Sequence, residues 1–306
     1  MKTGIKNNIF ELNAYLTIQR ETINSHLERR LEKASYRGRL LEAMAYSLMA
    51  GGKRIRPVLC ISAAHAVGEE SQAVMSVACA LEMIHTYSLI HDDLPAMDDD
   101  QIRRGKPTCH VQFDEATAIL AGDALVTLAF ETITDAYDLP AEISNPEKRL
   151  RTIRLLAKAA GCAGMVDGQM QDMMMEGTTI DLNALEKLHS LKTGALIQAS
   201  VVSGATMGGG NNGQIEHLRL YAKKIGLAFQ ISDDILNIEG DPDVMGKAVG
   251  TDDFKHKNTF PALMGLNASK KHAEKLIDEA LNALSSFDDR SDPLRAIAVY
   301  IIERKL

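Results

Sequence analysis

Apolar residues recur every three or four positions through most of the chain, as at Leu12, Leu16, Ile23, Leu27 and Leu31. This spacing places them on one face of a helix, so the pattern predicts amphipathic α-helices. Breaks rich in glycine, proline or polar residues fall at 51–52, 68, 95, 105–107, 138–146, 177, 207–213, 240–250 and 285–293. They separate about ten helices. No break has the length or composition of a domain linker, so we predict one domain spanning 1–306.

Three segments are apolar almost all round, at 76–90, 116–130 and 193–208. Helices with so little polar surface belong at the centre of a large bundle. Polar residues within these segments or directly beside them need a partner or a function there. They include His85, Asp123, Lys192 and Gln198. The predicted fold is therefore all-α, a large helical bundle around a deep central cavity.

Composition supports helices and limits the classes of partner. Aromatic residues make up 5% of the chain and tryptophan is absent, which favours helices over sheets. A formal net charge of −7 argues against nucleic-acid binding, which depends on a surplus of lysine and arginine. The four cysteines are widely spaced without a C-x-x-C pair, as expected in a reducing, cytoplasmic setting. No run of apolar residues is long enough to predict a membrane span.

Two acidic clusters are the clearest chemical signal. The stretch IHDDLPAMDDDQIRRG, residues 90–105, places five carboxylates within nine residues, and FQISDDILNIEGD follows at 229–241. Two charges 4 Å apart repel by roughly 4 kcal/mol at an effective dielectric near 20, so a cation is expected among them. Each cluster alone could be a solvated helix end. Because both follow apolar helices, we place them at the mouth of a buried cavity, where carboxylates without His or Cys select Mg²⁺ or Mn²⁺.

Basic residues form a second signal. GGKRIRP contains Lys53, Arg54 and Arg56, and the first acidic cluster ends on a pair of arginines. Each cation alone is typical of a solvated surface. Together they could bind a second anion without metal, because guanidinium groups match phosphate oxygens and ammonium groups act as point charges.

Seven pieces of the sequence resemble, in order, the motifs of the polyprenyl diphosphate synthase family, the trans-prenyltransferases, and in particular its bacterial farnesyl-forming members. The pieces are GGKRIRP, HTYSLIHDDLPAMDDDQIRRGKPTCH, AILAGDAL, GQMQD, LKTGALI, FQISDDIL and GKAVGTDDFKHKNTFPAL. The resemblance implies an all-α homodimeric enzyme. It would condense isopentenyl diphosphate with dimethylallyl and then geranyl diphosphate to give (2E,6E)-farnesyl diphosphate.

The resemblance also implies roles for individual residues. Carboxylates would hold about three Mg²⁺ ions around the allylic diphosphate: Asp92, Asp93, Asp98, Asp233 and Asp234. Cations would contact that same diphosphate: Arg103, Lys192, Lys257 and Lys247. A second group would bind isopentenyl diphosphate: Lys53, Arg56, His85 and Arg104. Thr193 and Gln230 would lie near the developing carbocation, which needs a dry apolar pocket.

Two positions bear on the finer details. The second acidic motif of the family reads D-D-x-x-D, whereas this chain has Asn237 at the last position, so we expect weaker Mg²⁺ affinity there. Tyr87, five positions before Asp92, matches the aromatic residue that would form the floor of the cavity and stop growth at C15. The alternative interpretation is that Tyr87 is an ordinary residue of the hydrophobic core.

Three other functions remain open at this stage. A geranylgeranyl diphosphate synthase would share the chemistry, and the bulk of Tyr87 argues against it. A non-catalytic partner subunit of a prenyltransferase would be expected to have lost its aspartates. A terpene cyclase would have no use for the second set of cations.

Overall fold

Helices make up most of the computed structural model, which describes residues 10–34, 36–68, 72–135, 145–239 and 258–303. The first part of the chain forms α1 (Leu12–Glu32), α2 (Arg39–Leu48), α3 (Ile55–Val67) and α4 (Gln72–Asp92). A short hairpin of β1 (Ile102–Arg103) and β2 (Lys106–Pro107) follows, and then α5 (Cys109–Gln112) and α6 (Glu115–Thr134).

The second part of the chain begins with α7 (Pro146–Ala160) and α8 (Met165–Met175). A continuous helical segment then runs through α9 (Leu182–His189), a π-helical turn (Ser190–Gly194) and α10 (Ala195–Met207). The remaining elements are α11 (Asn212–Glu239), α12 (Phe260–Met264), α13 (Leu266–Ala283), a 3₁₀ turn (Asp289–Ser291) and α14 (Asp292–Glu303).

The core is built where the sequence predicts continuous burial. Helix α10 packs against α3, and α4 packs against both α3 and α6. Almost every residue of α10 from Leu196 to Ala205 is buried, so this helix lies inside the bundle rather than at its surface. A second layer forms where α11 packs along α13. The all-α prediction is confirmed for the described residues, with the two-residue strands as the one departure.

Two details differ from the sequence-based expectation. The pattern did not predict the break at Gly161–Gly164, which separates α7 from α8. Helix α6 was expected to be central, but it leaves Ile119 43% and Leu120 58% exposed.

Helices α4 and α6 also have the length and apolar composition that a membrane crossing would need, with 67% and 44% of their most apolar 18-residue stretches buried. The expectation of no membrane span therefore stays a prediction.

Candidate functional site

The first acidic cluster sits where α4 ends and the chain turns back on itself. The backbone N–H of Asp98 donates to the carbonyl of Asp92 at 2.8 Å, and Asp99 adopts a left-handed conformation with φ of 52°. This turn brings the carboxylates of Asp92 and Asp98 towards each other. The pKa of Asp92 is raised to about 6, chiefly by burial; the ammonium of Lys192 opposes the rise and the carboxylate of Asp98 contributes to it.

Asp93 faces a different environment from its neighbour. Its side chain is almost fully buried, and its Oδ1 accepts a hydrogen bond from Arg103 Nε at 2.6 Å. Arg103 also donates to Asp100 at 3.3 Å. Arg103 is thus held between two aspartates of the cluster that it is predicted to serve.

Lys192 and Thr193 lie in the π-helical turn between α9 and α10. Such turns alter the direction of side chains within a helix and occur frequently at functional sites. The ammonium of Lys192 contacts Asp172 of α8 at 2.6 Å. Gly168 of α8 permits this approach, because a Cβ there would lie 2.3 Å from the backbone nitrogen of Lys192. Thr193 is buried beside it.

The second acidic cluster lies on the last turns of α11. Asp234 is buried, and its Oδ2 accepts a hydrogen bond from the backbone N–H of Phe260 at 2.9 Å. One oxygen of Asp234 therefore anchors the chain where α12 begins. Asp233 is only partly buried and raises the pKa of Arg56, against the stronger lowering by burial. Gln230 and Asn237 are also partly buried on this helix.

The β-hairpin directs the two neighbouring arginines to different places. Arg104 and Gly105 both have positive φ, 54° and 73°, as the two central residues of a tight type I′ turn require. Arg103 contacts Asp93, whereas Arg104 donates to the carbonyl of Gly51. The Arg104 guanidinium lies so close to Gly52 that a Cβ at Gly52 would come within 2.6 Å of it.

Beside Arg104 lies a cavity of ≈ 460 Å³ lined by residues from six parts of the chain. Its polar wall carries Lys53, Arg54, Arg56, Glu82, His85, Arg103 and Arg104. Its apolar wall carries Ile197, Phe229, Ile297, Tyr300 and Ile301. The structure therefore brings together all four residues predicted to bind the second diphosphate.

Water reaches the polar groups of this cavity to different extents, since Lys53 and Arg104 are exposed whereas Arg56 is partly buried. Burial, followed by the charges of Arg56 and Arg104, lowers the pKa of His85 well below its ordinary value, so the imidazole is neutral at pH 7. Arg56 Nε is buried and has no hydrogen-bond partner among the described residues. The Lys53 ammonium lies 5.5 Å above the ring of Tyr300. An anion entering the cavity would meet in Arg56 Nε a donor that little water competes for.

Other predicted residues lie apart from these two sites or outside the described chain. Tyr87 packs against the core on α4, with its ring edge-on to that of His91 at 5.5 Å. Lys247 and Lys257 fall outside the described residues, so their roles remain predictions.

The structure adds residues to which the sequence analysis gave no role. Asp172 is the last residue of GQMQD, a motif that was matched but not interpreted. Glu82 forms a buried ion pair with Arg54, and its position one helical turn before His85 was the available signal.

The donor set fits Mg²⁺ in an open site. Within the described ranges, no three His, Cys, Asp or Glu side chains are grouped closely enough to hold an ion by themselves. Mg²⁺ commonly takes one or two carboxylates and completes its shell with water and phosphate oxygens. Burial raises the pKa of Asp92, which interacts with Asp98, and a bound cation would offset the cost of keeping the Asp92 carboxylate ionised there.

Comparisons with known proteins agree with this geometry. The polyprenyl synthetase family model matches residues 37–297. The chain is 50% identical over 274 residues to a farnesyl diphosphate synthase of Geobacillus stearothermophilus, covering 90% of this chain and 91% of that protein. It is 46% identical over 300 residues to the large subunit 1 of a heterodimeric chloroplastic geranylgeranyl pyrophosphate synthase of Arabidopsis thaliana, covering 97% and 80%.

A solved structure extends the likeness to the fold. The geranylgeranyl pyrophosphate synthetase of Pyrococcus horikoshii superposes with a TM-score of 0.86 at 31% identity, covering 96% of this chain and 98% of that one. The likeness thus spans the helical bundle together with the stretches that carry both acidic clusters and the cation-lined cavity. On the match of the family model and the identity to these relatives, the chain belongs to the polyprenyl synthetase family.

Proposed function

We propose that the protein is a Mg²⁺-dependent prenyltransferase that condenses isopentenyl diphosphate with dimethylallyl diphosphate and then with geranyl diphosphate. The product is (2E,6E)-farnesyl diphosphate, formed by ionisation, condensation and elimination. The farnesyl diphosphate synthase of G. stearothermophilus, half identical over nine-tenths of this chain, supports this product.

The observation that carries the proposal is the division of cations between two neighbouring sites. Arg103 and Lys192 accompany the acidic cluster, where a metal-bound diphosphate would lie. Lys53, Arg56 and Arg104 line a cavity in which Glu82, the acidic residue among the described lining residues, is paired with Arg54. In the proposed reaction one substrate loses its diphosphate and the other keeps it. A site with metal suits the first diphosphate, and a site without metal suits the second.

In the first site, the residues prepare the leaving group. Mg²⁺ bound there with the allylic diphosphate would neutralise the charge that develops as the C–O bond breaks. Arg103 and Lys192 are bound to Asp93 and Asp172 in the ligand-free protein. We infer that both turn towards the diphosphate oxygens when it binds, since carboxylates attracted to Mg²⁺ release their cations. Once they have turned, both donors face the diphosphate before the C–O bond breaks and stabilise the charge that develops on the leaving group.

In the second site, the cations hold isopentenyl diphosphate by its phosphates. Its hydrocarbon end would then lie along Ile197 and Phe229, which exclude water from the carbocation. Thr193 and Gln230 are assigned positions beside that cation. The described residues offer no dedicated base, so we assign the final proton to the departing diphosphate.

Geranylgeranyl diphosphate synthesis is the second candidate. The Arabidopsis and Pyrococcus relatives carry that name at 46% and 31% identity. The bulk of Tyr87 on α4 favours the shorter C15 product. A non-catalytic subunit is less well supported because both acidic pairs are present. A terpene cyclase is less well supported because it would have no use for the cation-lined cavity.

We further propose a cytoplasmic homodimer of single-domain chains. The support is the apolar surface of α6, where Ile119 and Leu120 are exposed. Tyr36 and Leu40 of the same chain line a groove of ≈ 580 Å³ together with Leu120. A second copy of α6 would cover it.

The proposal is tested by a product assay with purified protein, Mg²⁺, dimethylallyl diphosphate and labelled isopentenyl diphosphate. We expect a dominant C15 product, resolved by carbon number. A C20 product would retain the chemistry and overturn the assigned floor. No elongation by folded protein at saturating Mg²⁺ would refute the enzyme and favour the partner-subunit alternative.

A further inference from the structure

The buried ion pair between Arg54 and Glu82 lies directly behind the cation-lined cavity. Their side chains are 0% and 2% exposed, and Arg54 Nη1 lies 2.5 Å from Glu82 Oε1. A buried pair of this kind contributes little net stability, because removing two charges from water costs about as much as their attraction returns. Its presence next to an anion site calls for a role other than stability.

Arg54 connects the loop that borders the cavity to three helices. Its Nε donates to Asn24 Oδ1 of α1 at 3.0 Å, and its Nη2 donates to the carbonyl of Leu48 at the end of α2 at 2.7 Å. The third contact is Glu82 on α4. One side chain thus fixes the loop before α3 to α1, α2 and α4 at once.

That loop has a backbone that would not hold its shape alone. Gly51, Gly52 and Arg54 have φ of 98°, 116° and 53°, all in the left-handed region. Such a conformation is disfavoured at a non-glycine residue such as Arg54, so the contacts of its own side chain must maintain it. The loop presents Lys53 to the cavity and leads into Arg56 on the first turn of α3.

Glu82 also balances the charge of the whole cavity. It precedes His85 by three residues, so both side chains project from one face of α4. Burial lowers the pKa of Arg56 and of Arg104, and Glu82 is the largest opposing influence on each. The carboxylate therefore offsets part of the cost of burying the two guanidinium groups.

We propose that Arg54 and Glu82 are positioning residues for the second diphosphate: the buried ion pair holds the 51–54 loop so that Lys53 and Arg56 are preorganised for isopentenyl diphosphate. This inference rests on the proposed function of the cavity. Although both residues belong to the cavity wall, their side chains are almost fully buried in their mutual ion pair, so each acts through the residues that contact the ligand.

The test is calorimetric binding of isopentenyl diphosphate in the presence of EDTA, where the metal-dependent site cannot contribute. The first variant is Glu82→Gln. The second, Arg54→Met with Glu82→Leu, removes both charges but keeps an apolar contact of similar volume, which commonly preserves folding. Asn24→Ala keeps both charges and loosens only one anchor. Glu279→Gln is the matched control, because Glu279 pairs with Lys224 on α11 and lines none of the cavity.

We expect the dissociation constant for isopentenyl diphosphate to rise about tenfold in Glu82→Gln and in the double variant, and less in Asn24→Ala. Glu279→Gln should bind as the wild type does. In steady-state assays, KM for isopentenyl diphosphate should rise in step while KM for geranyl diphosphate stays within about twofold, a division that simple destabilisation would not produce.

The outcomes separate this inference from the proposed function. Unchanged binding in any folded variant that has lost the ion pair would overturn the inference even if the enzyme makes farnesyl diphosphate. If both of those variants fail to fold, unchanged binding by Asn24→Ala would overturn it in the same way. Failure of the wild type to bind isopentenyl diphosphate in EDTA would also overturn it. Wild-type binding that the variants weaken, without any elongation, would refute only the proposed function.

Discussion

Neighbouring aspartates of one motif have opposite environments in this protein. Asp93 is neutralised by Arg103, whereas no cation among the described residues forms a comparable ion pair with Asp92, whose pKa burial raises to about 6. The difference arises because α4 ends between them and the chain then turns. Keeping the Asp92 carboxylate ionised in this environment costs free energy in the ligand-free protein, and the carboxylate is available to bind a metal ion.

Asp92→Asn should therefore stabilise the Mg²⁺-free protein while abolishing activity. The folded state binds more protons than the unfolded state between pH 4 and pH 6, so the Asp92 carboxylate lowers stability as pH rises through that window and at all higher pH. We expect a gain of up to about 3 kcal/mol at pH 8 and little near pH 4. Thermal melts at both pH values measure it, with exposed Asp278→Asn of α13 as control. An unchanged or lower Tm at pH 8 would contradict the assignment.

Tyr87→Ala should lengthen the product to C20 and beyond, since removing the ring opens the predicted cavity floor. Tyr87→Phe keeps the ring and should still stop at C15. Chromatography of the products by carbon number distinguishes the two. If the alanine variant makes only C15, Tyr87 is a core residue and the floor lies elsewhere.

Asn237→Asp should lower the Mg²⁺ concentration needed for half-maximal activity, because a carboxylate attracts the ion more strongly than an amide. The measurement is activity against Mg²⁺ at saturating substrates, with Asp278→Asn of α13 unchanged. A midpoint that does not move would show that Asn237 takes no part in metal binding.

At the scale of single elements, the π-helical turn determines where Lys192 and Thr193 point. The extra residue in that turn changes the direction of the side chains relative to α9 and α10. Apolar periodicity predicted a helix there but carried no sign of the π turn. The β-hairpin likewise separates Arg103 from Arg104, which a sequence pattern shows only as an adjacent pair.

Gly168→Ala should displace this turn. The added Cβ would lie 2.3 Å from the backbone nitrogen of Lys192, so α8 and the π turn must separate. We expect kcat to fall at least about tenfold, with a loss of roughly 1–3 kcal/mol in stability. Val166→Ala, on the exposed face of α8, is the control for kcat and for the melting temperature. Wild-type kcat in the glycine variant would show that the close contact is not needed.

At the scale of the whole molecule, α6 leaves the apolar side chains of Ile119 and Leu120 exposed at the surface. Leu120→Lys should convert the proposed dimer into a folded monomer, because the ammonium would be buried unpaired at the interface. Light scattering after size exclusion measures the mass, and Leu150→Lys, at another exposed leucine on α7, should leave it unchanged. A dimer in both variants would place the interface elsewhere.

The sequence alone determined the all-α fold, the family and the two groups of charged residues. Apolar periodicity indicates which face of a helix is buried, and closely spaced like charges indicate a bound counter-ion. Both inferences can be made without coordinates. The tertiary structure decided which charge meets which. It paired Arg54 with Glu82, Arg103 with Asp93 and Lys192 with Asp172 across separate elements. These pairings depend on a hairpin turn, a π turn and a left-handed loop, local conformations that packing enforces and that no hydrophobic pattern records.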